Sequence, residues 1–244
     1  MLMTPVDFRE PDEFVNELDS MRAETLQKVR SGQHGRLSFG DPQIPPSERK
    51  EVAAILKLLM YPERRVADVL ASRIPLISDF DIKERMAAQM FEELTHTGLL
   101  RKMLNQWGHD GDVGWNQPLK ELVHIFDYIE TLETPAEFFS TFLIGEGLFL
   151  STYLDDMQLK DPKAFSPYLE VALADEPGHI QLAKDALARY ATTAELQART
   201  RASARRLLDM FLGGYVARIR QLDEELSATG DISAFAESEA QKVS

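Results

Sequence analysis

The stretch Phe138 to Leu154 reads FFSTFLIGEGLFLSTYL and holds a single charged residue, Glu146, at its middle. A helix apolar nearly all round is a buried one. The run is just long enough for a minimal membrane span, but Glu146 interrupts it, Ser and Thr are scattered through it, and no second segment resembles it. The expected setting is therefore a protein core. A lone carboxylate there loses several kcal/mol of hydration unless it is protonated, paired or bound to a cation. What compensates Glu146 decides the fold. Gly145 and Gly147 flank it at a cost in helix propensity, which fits a close approach by another backbone or a bound group. The simpler alternative is a neutral or Arg-paired glutamate.

Composition narrows the compensating groups. With 244 residues, 44% of them hydrophobic and 27% charged, the chain can bury one large core or two small ones. Its net charge of -13 opposes nucleic acid and anionic membranes as partners, since phosphates are bound by clustered Lys and Arg. The absence of cysteine removes disulfides, thiolate zinc sites, iron-sulfur clusters and cysteine nucleophiles. Any metal must sit on Glu, Asp and His. The opening MLMTPVDFREPDEF has no basic segment followed by an apolar run, so the expected location is the cytoplasm.

Apolar spacing is helical nearly everywhere, and no segment alternates long enough with β-branched or aromatic residues to suggest a sheet. The expected class is all-α. Helices are expected at about 11–30, 47–72 (bent at Pro62), 78–106 (capped by Ser78), 118–132, 135–158, 166–190 and 193–228. Residues 1–46 read as an N-terminal helix and irregular arm, 47–228 as a helical bundle, and 229–244 as a frayed tail.

A Glu three residues before a His shares its helix face, so both can reach one ion. Three such pairs occur among five histidines: Glu93 with His96 in EELTH, Glu121 with His124 in ELVH, and Glu176 with His179 in DEPGH. The ELVH helix has a separate apolar stripe of Leu119, Leu122, Val123, Phe126 and Ile129, so its pair is expected on the surface. The spacings separate the other two. Glu63 precedes Glu93 by 30 residues, Glu146 precedes Glu176 by 30, and His96 to His179 repeats the common offset of 83. A gap of 30 lets two antiparallel helices with a short loop face each other at their midpoints. Two such hairpins packed together bring four carboxylates and two imidazoles into one core, a set that suits two divalent metals. Glu63 is the least secure member because Pro62, Arg64 and Arg65 adjoin it; Glu51 and Asp68 are its fallbacks, although neither keeps the register.

Glu63 with EELTH and Glu146 with DEPGH resemble the doubled motif of the ferritin-like di-iron carboxylate proteins, oxygenase branch, over about residues 47–190. The DEPGH form and the helix plan look most like the catalytic subunit of phenylacetyl-CoA epoxidase and its relatives. The resemblance implies a ferritin-like four-helix bundle with extra terminal helices. It also implies a metal centre of two iron ions on Glu63, Glu93, His96, Glu146, Glu176 and His179. Glu92 and Asp175 would each hydrogen-bond a histidine across the bundle and fix its tautomer.

The expected activity is a di-iron oxygenase that activates O2 to hydroxylate or epoxidise a small organic substrate, a CoA-linked one among the options. A di-manganese catalase or a rubrerythrin-like peroxidase is the alternative, ferritin-type iron storage a further one, and a metal-free structural partner a last one. Without cysteine or a flavin or nicotinamide motif, electrons must come from a separate reductase; a homodimer is left open. Met90, Phe142, Leu143, Phe149 and Leu150 could line an apolar pocket, although core packing suits them better. Tyr153 could carry a radical or a hydrogen bond, with core packing again the better reading. Arg199, Arg201, Arg205 and Arg206 could hold a phosphate, against the plainer reading of a salt-bridged helix face. Pro62 and Pro177 are expected to open their helices locally where Glu63 and Glu176 turn inward, with Gly178 leaving room opposite.

Overall fold

A computed structural model describes residues 8–33, 43–111, 119–219 and 221. They form seven α-helices: α1 (Pro11–Lys28), α2 (Lys50–Arg73), α3 (Phe80–Gln106), α4 (Lys120–Glu130), α5 (Pro135–Lys160), α6 (Pro162–Tyr190) and α7 (Ala194–Met210). No strand occurs among the described residues. None of the described helices is long and apolar enough to cross a membrane. The expected tail and the second half of the loop WGHDGDVGWNQP lie outside the described residues.

Helix starts follow local chemistry. Thr134 and Glu137 form a reciprocal capping box at α5, which satisfies backbone donors that the first helical turn would otherwise leave orphaned. Asp79, rather than the expected Ser78, caps α3 by accepting from the Ile82 amide at 3.0 Å. Its carboxylate also meets Arg189 of α6 at 2.5 Å. Asp161 caps α6 four residues before the expected start, with Pro162 in the first turn, so Ser166 and Pro167 lie inside the helix. Proline early in a helix is tolerated because the first amides have no intrahelical partner. The C-terminal helix passes into a π-helical stretch at Phe211–Val216.

The two central prolines do not open their helices. α2 runs unbroken through Pro62 and α6 through Pro177, and the π-helical stretches fall elsewhere, at Val29–Gln33 and Phe211–Val216. Pro177 lies on the exposed side of α6 with Leu173, where water can reach a carbonyl left without its donor. Gly178 has open space where a Cβ would stand, so no neighbour requires a glycine there.

Packing joins α2 to α3 and α5 to α6, sets α3 against α6, and lays α1 and α7 along α5. Phe14 and Leu18 place α1 within the same core as Leu56, Met86, Leu143 and Leu187. Gly147 receives the side chain of Arg22 from α1, since a Cβ at that position would overlap Arg22 Cδ. The close approach expected beside Glu146 is thus made by a side chain. Arg73 fixes α4 over the bundle by donating to the carbonyls of Leu132 at 2.6 Å, Glu130 at 2.8 Å and Ile129 at 3.2 Å, the open end of that helix.

Candidate metal centre

Four helices deliver the centre. Glu63 comes from α2, Glu93 and His96 from α3, Glu146 from α5, and Glu176 and His179 from α6, and all six are buried. One set of ligand atoms, from Glu63, Glu93 and His96, lies mutually within 4.8 Å; a second, from Glu93, Glu146 and His179, does the same. Glu93 belongs to both. Glu176 completes the cluster from the side, with Oε2 at 3.6 Å from His179 Nδ1. These buried groups could hold metal ions.

Each imidazole is anchored at one nitrogen and faces carboxylates with the other. His96 Nε2 lies 3.1 Å from Asp175 Oδ2, and His179 Nε2 lies 2.9 Å from Glu92 Oε2, so each histidine is held by the acid that precedes the other helix's Glu. His96 Nδ1 is 3.1 Å from Glu63 Oε2 and 3.7 Å from Glu93 Oε2. His179 Nδ1 is 3.3 Å from Glu93 Oε1. An outer carboxylate fixes ring orientation and raises ligand basicity, as around metal-bound histidines generally.

Electrostatics report a site short of positive charge. Burial, then the charges of Glu146 and Glu63, pushes Glu93 well above the carboxylate range. Burial and the charge of Glu176 push Glu146 up to about 8, and burial raises Glu176 too. Burial would lower both histidines, but hydrogen bonding to Glu63 holds His96 up at about 9, and Glu176 and Glu146 hold His179 at about 10. Burial also opposes ionisation of Glu63, yet hydrogen bonds led by His96 bring it below its ordinary value. Protons therefore occupy the centre where cations would neutralise it. Four carboxylates with two neutral imidazoles carry four negative charges, which two divalent cations cancel.

Unmet polar atoms point the same way. Glu93 Oε2, both carboxylate oxygens of Glu176 and Nδ1 of His179 are buried without a hydrogen-bond partner. An unsatisfied buried polar atom costs about 1–3 kcal/mol, and more if charged, so several at one spot mark a place for a ligand. Carboxylate oxygens and imidazole nitrogens are a donor set that suits iron, manganese or zinc, and the residues fit a pair of such ions.

Two members escaped the sequence reading. Gln89, one turn before Glu93, donates its amide to Glu146 Oε1 at 3.0 Å and to Glu93 Oε1 at 3.3 Å. Tyr168 donates its hydroxyl to Glu63, and burial together with the Glu63 charge keeps that phenol protonated. Tyr168 precedes Glu176 by eight residues, close to two helical turns, so the shared face was the available signal. The other candidates fall elsewhere. Asp68 is exposed beside Arg64 and Arg65, while the Glu51 side chain lies outside the described residues. His124 is exposed and Glu121 half-buried, as expected of a surface pair. The Tyr153 hydroxyl meets that of Tyr215.

An apolar cavity of about 60 Å³ adjoins Glu63, Glu93 and Glu146. α4 contributes Leu122, Ile125, Phe126 and Ile129 to its wall, α5 contributes Phe142 and Leu148, α7 contributes Leu207, and the π-helical stretch after it contributes Phe211. Of the expected lining residues Phe142 is present, Leu143 and Met90 are not, and the side chains of Phe149 and Leu150 lie outside the described residues. Three of the four α7 arginines are engaged within the chain: Arg199 binds Glu133 and Glu137, Arg201 binds Glu17, and Arg206 covers the ring of Tyr128 at 4.7 Å. The charges of these three are met by carboxylates and an aromatic face, the salt-bridged alternative, while Arg205 is exposed on the same helix.

No protein-family model, curated protein or solved structure matches the chain.

Proposed function

We propose that α2, α3, α5 and α6 form a ferritin-like four-helix bundle around two iron ions, and that the chain is a di-iron oxygenase that hydroxylates or epoxidises an apolar organic substrate. The observation that carries this reading is the pair of buried residue trios sharing Glu93, with unmet donor atoms turned toward one another. Held by Glu63, Glu93, His96, Glu146, Glu176 and His179, two ferrous ions would supply the electrons for dioxygen activation. The chain contributes the rest: six side chains bind, Asp175 and Glu92 orient the imidazoles, Tyr168 and Gln89 orient the carboxylates, and apolar walls exclude water. Electrons for turnover come from a separate reductase, since the chain has no cysteine and no flavin or nicotinamide motif.

The small cavity gives one alternative some support, a di-manganese catalase or rubrerythrin-like peroxidase, whose substrate is no larger than a few atoms. The apolar wall favours an organic substrate over peroxide. Ferritin-type storage is disfavoured by the second histidine, His179.

Metal analysis of the purified protein, followed by anaerobic ferrous loading and exposure to oxygen, tests the proposal. About two irons per chain and a transient visible band are expected. Manganese with rapid peroxide disproportionation would select the alternative, and failure of either metal to bind near that ratio would remove both.

A further inference from the structure

We propose that the cavity beside Glu63, Glu93 and Glu146 seats the end of a slender, unbranched alkyl or alkenyl chain and rejects an aromatic ring, with Gly145 keeping its mouth open. The occupant's class rests on the reading of the centre as the oxidising site; the cavity's selectivity does not, and can be tested without metal.

The wall excludes polar occupants. Apart from the three carboxylates, its lining offers one hydroxyl, Thr141, which is already donated to the Phe138 carbonyl at 2.7 Å. Away from the carboxylates no other side chain of the wall can hold a polar substituent, so a hydroxylated or charged group set against the α4 and α7 walls would be buried there without a partner. The volume excludes bulk. An engineered apolar cavity of about 150 Å³ is what accommodates benzene, and this one measures about 60 Å³. A chain end can enter such a space lengthwise, with the remainder outside. Val66 and Gly145 are the lining residues that retain partial exposure, so the mouth lies between α2 and α5.

Gly145 stands at that mouth across from α7. A Cβ there would meet Leu207 Cδ2 at 3.9 Å, an ordinary van der Waals contact. An alanine therefore fits without strain and occupies part of the space, and replacing glycine within a helix removes its entropic penalty. Glycine at this position keeps the cavity open at the expense of helix stability, which makes it a specificity-determining position.

The test uses the full-length, metal-free protein with labelled methyl groups, observed by NMR under xenon and in solutions of n-pentane or benzene. Xenon and n-pentane are expected to shift the methyl signals of Ile125, Ile129 and Leu207, and benzene to leave them unmoved. Gly145→Ala is expected to lose these shifts while its melting temperature stays level or rises; Leu207→Ala is expected to gain a benzene response. Benzene binding to the unaltered protein as readily as n-pentane, no methyl shift with any probe, or undiminished n-pentane binding in Gly145→Ala would overturn the proposal. If the probes behave as expected while iron and manganese fail to bind, the metal reading falls and the cavity's selectivity stands.

Discussion

Glu93 holds the position on which the two residue trios depend, because its carboxylate is the member they share. Glu93→Ala is accordingly expected to abolish binding at both places, whereas His96→Ala or Glu146→Ala removes about one ion of two; elemental analysis after ferrous loading reads the difference. Equal losses in all three variants would contradict a shared carboxylate. Gln89 supports the same group. Gln89→Leu takes away the amide that both Glu93 and Glu146 accept from, and should weaken metal binding by about 10- to 100-fold, the range for an outer hydrogen-bonding partner. Its circular dichroism should be unchanged. The carboxylates and histidines were legible because their chemistry imposes a spacing: i, i+3 on one helix and a 30-residue step between helices. Gln89 carried no such signature. A glutamine one turn before a glutamate is common on solvated faces, and only burial at 2% exposure sets this one apart.

For the helices, the sequence read type and order well and handled interruptions poorly. All seven expected helices occur, since 3.6-residue apolar spacing survives any arrangement in space. The starts of α3 and α6 moved because several nearby residues can cap, and the choice falls to whichever side chain reaches the amides. Pro177 departs from expectation for a related reason: a helix absorbs a missing donor where the freed carbonyl meets water, and sequence does not say which side is wet; Pro62 is buried, and nothing in the structure explains why α2 stays unbroken there. Pro177→Ala should therefore raise stability by about 1–3 kcal/mol, the upper figure being the full helix-interior penalty of proline, and leave metal content intact. A fall in metal content at unchanged stability would restore a local role for the ring. Thr134→Ala should lower stability by about 1 kcal/mol through the capping box of α5. Urea unfolding at fixed pH measures both. What the helix pattern could not contain was the docking of α4 and α7 over the centre, which depends on Arg73 meeting the end of α4 and on apolar stripes that look alike on any amphipathic helix.

At the level of the molecule, the buried charges are expected to make stability depend on pH, and on any metal that the centre takes up. His96 and His179, raised from 6.5 to about 9 and about 10, bind protons more tightly when folded. Their contribution is complete below pH 6.5 and is lost as pH rises through 9 to 10. Glu146, raised from 4.5 to about 8, acts in the same direction, because between those values the folded chain keeps a proton that the unfolded chain has released. Glu63, lowered, opposes them in acid alone. The urea midpoint of the metal-free protein should thus fall from pH 6.5 to 9, and divalent metal should flatten that slope by taking the place of the protons. A rising midpoint would mean that the centre is not held together by protons. The two trios also differ in parentage. Glu63, Glu93 and His96 all belong to the α2–α3 hairpin, whereas Glu93, Glu146 and His179 are gathered from α3, α5 and α6. The first place is local in the chain and the second exists only after distant helices have docked. Filling should then be sequential: a titration with ferrous ion is expected to saturate a tight step at the hairpin trio before a weaker one at the trio that the docked helices assemble, and a single uniform step would contradict that order.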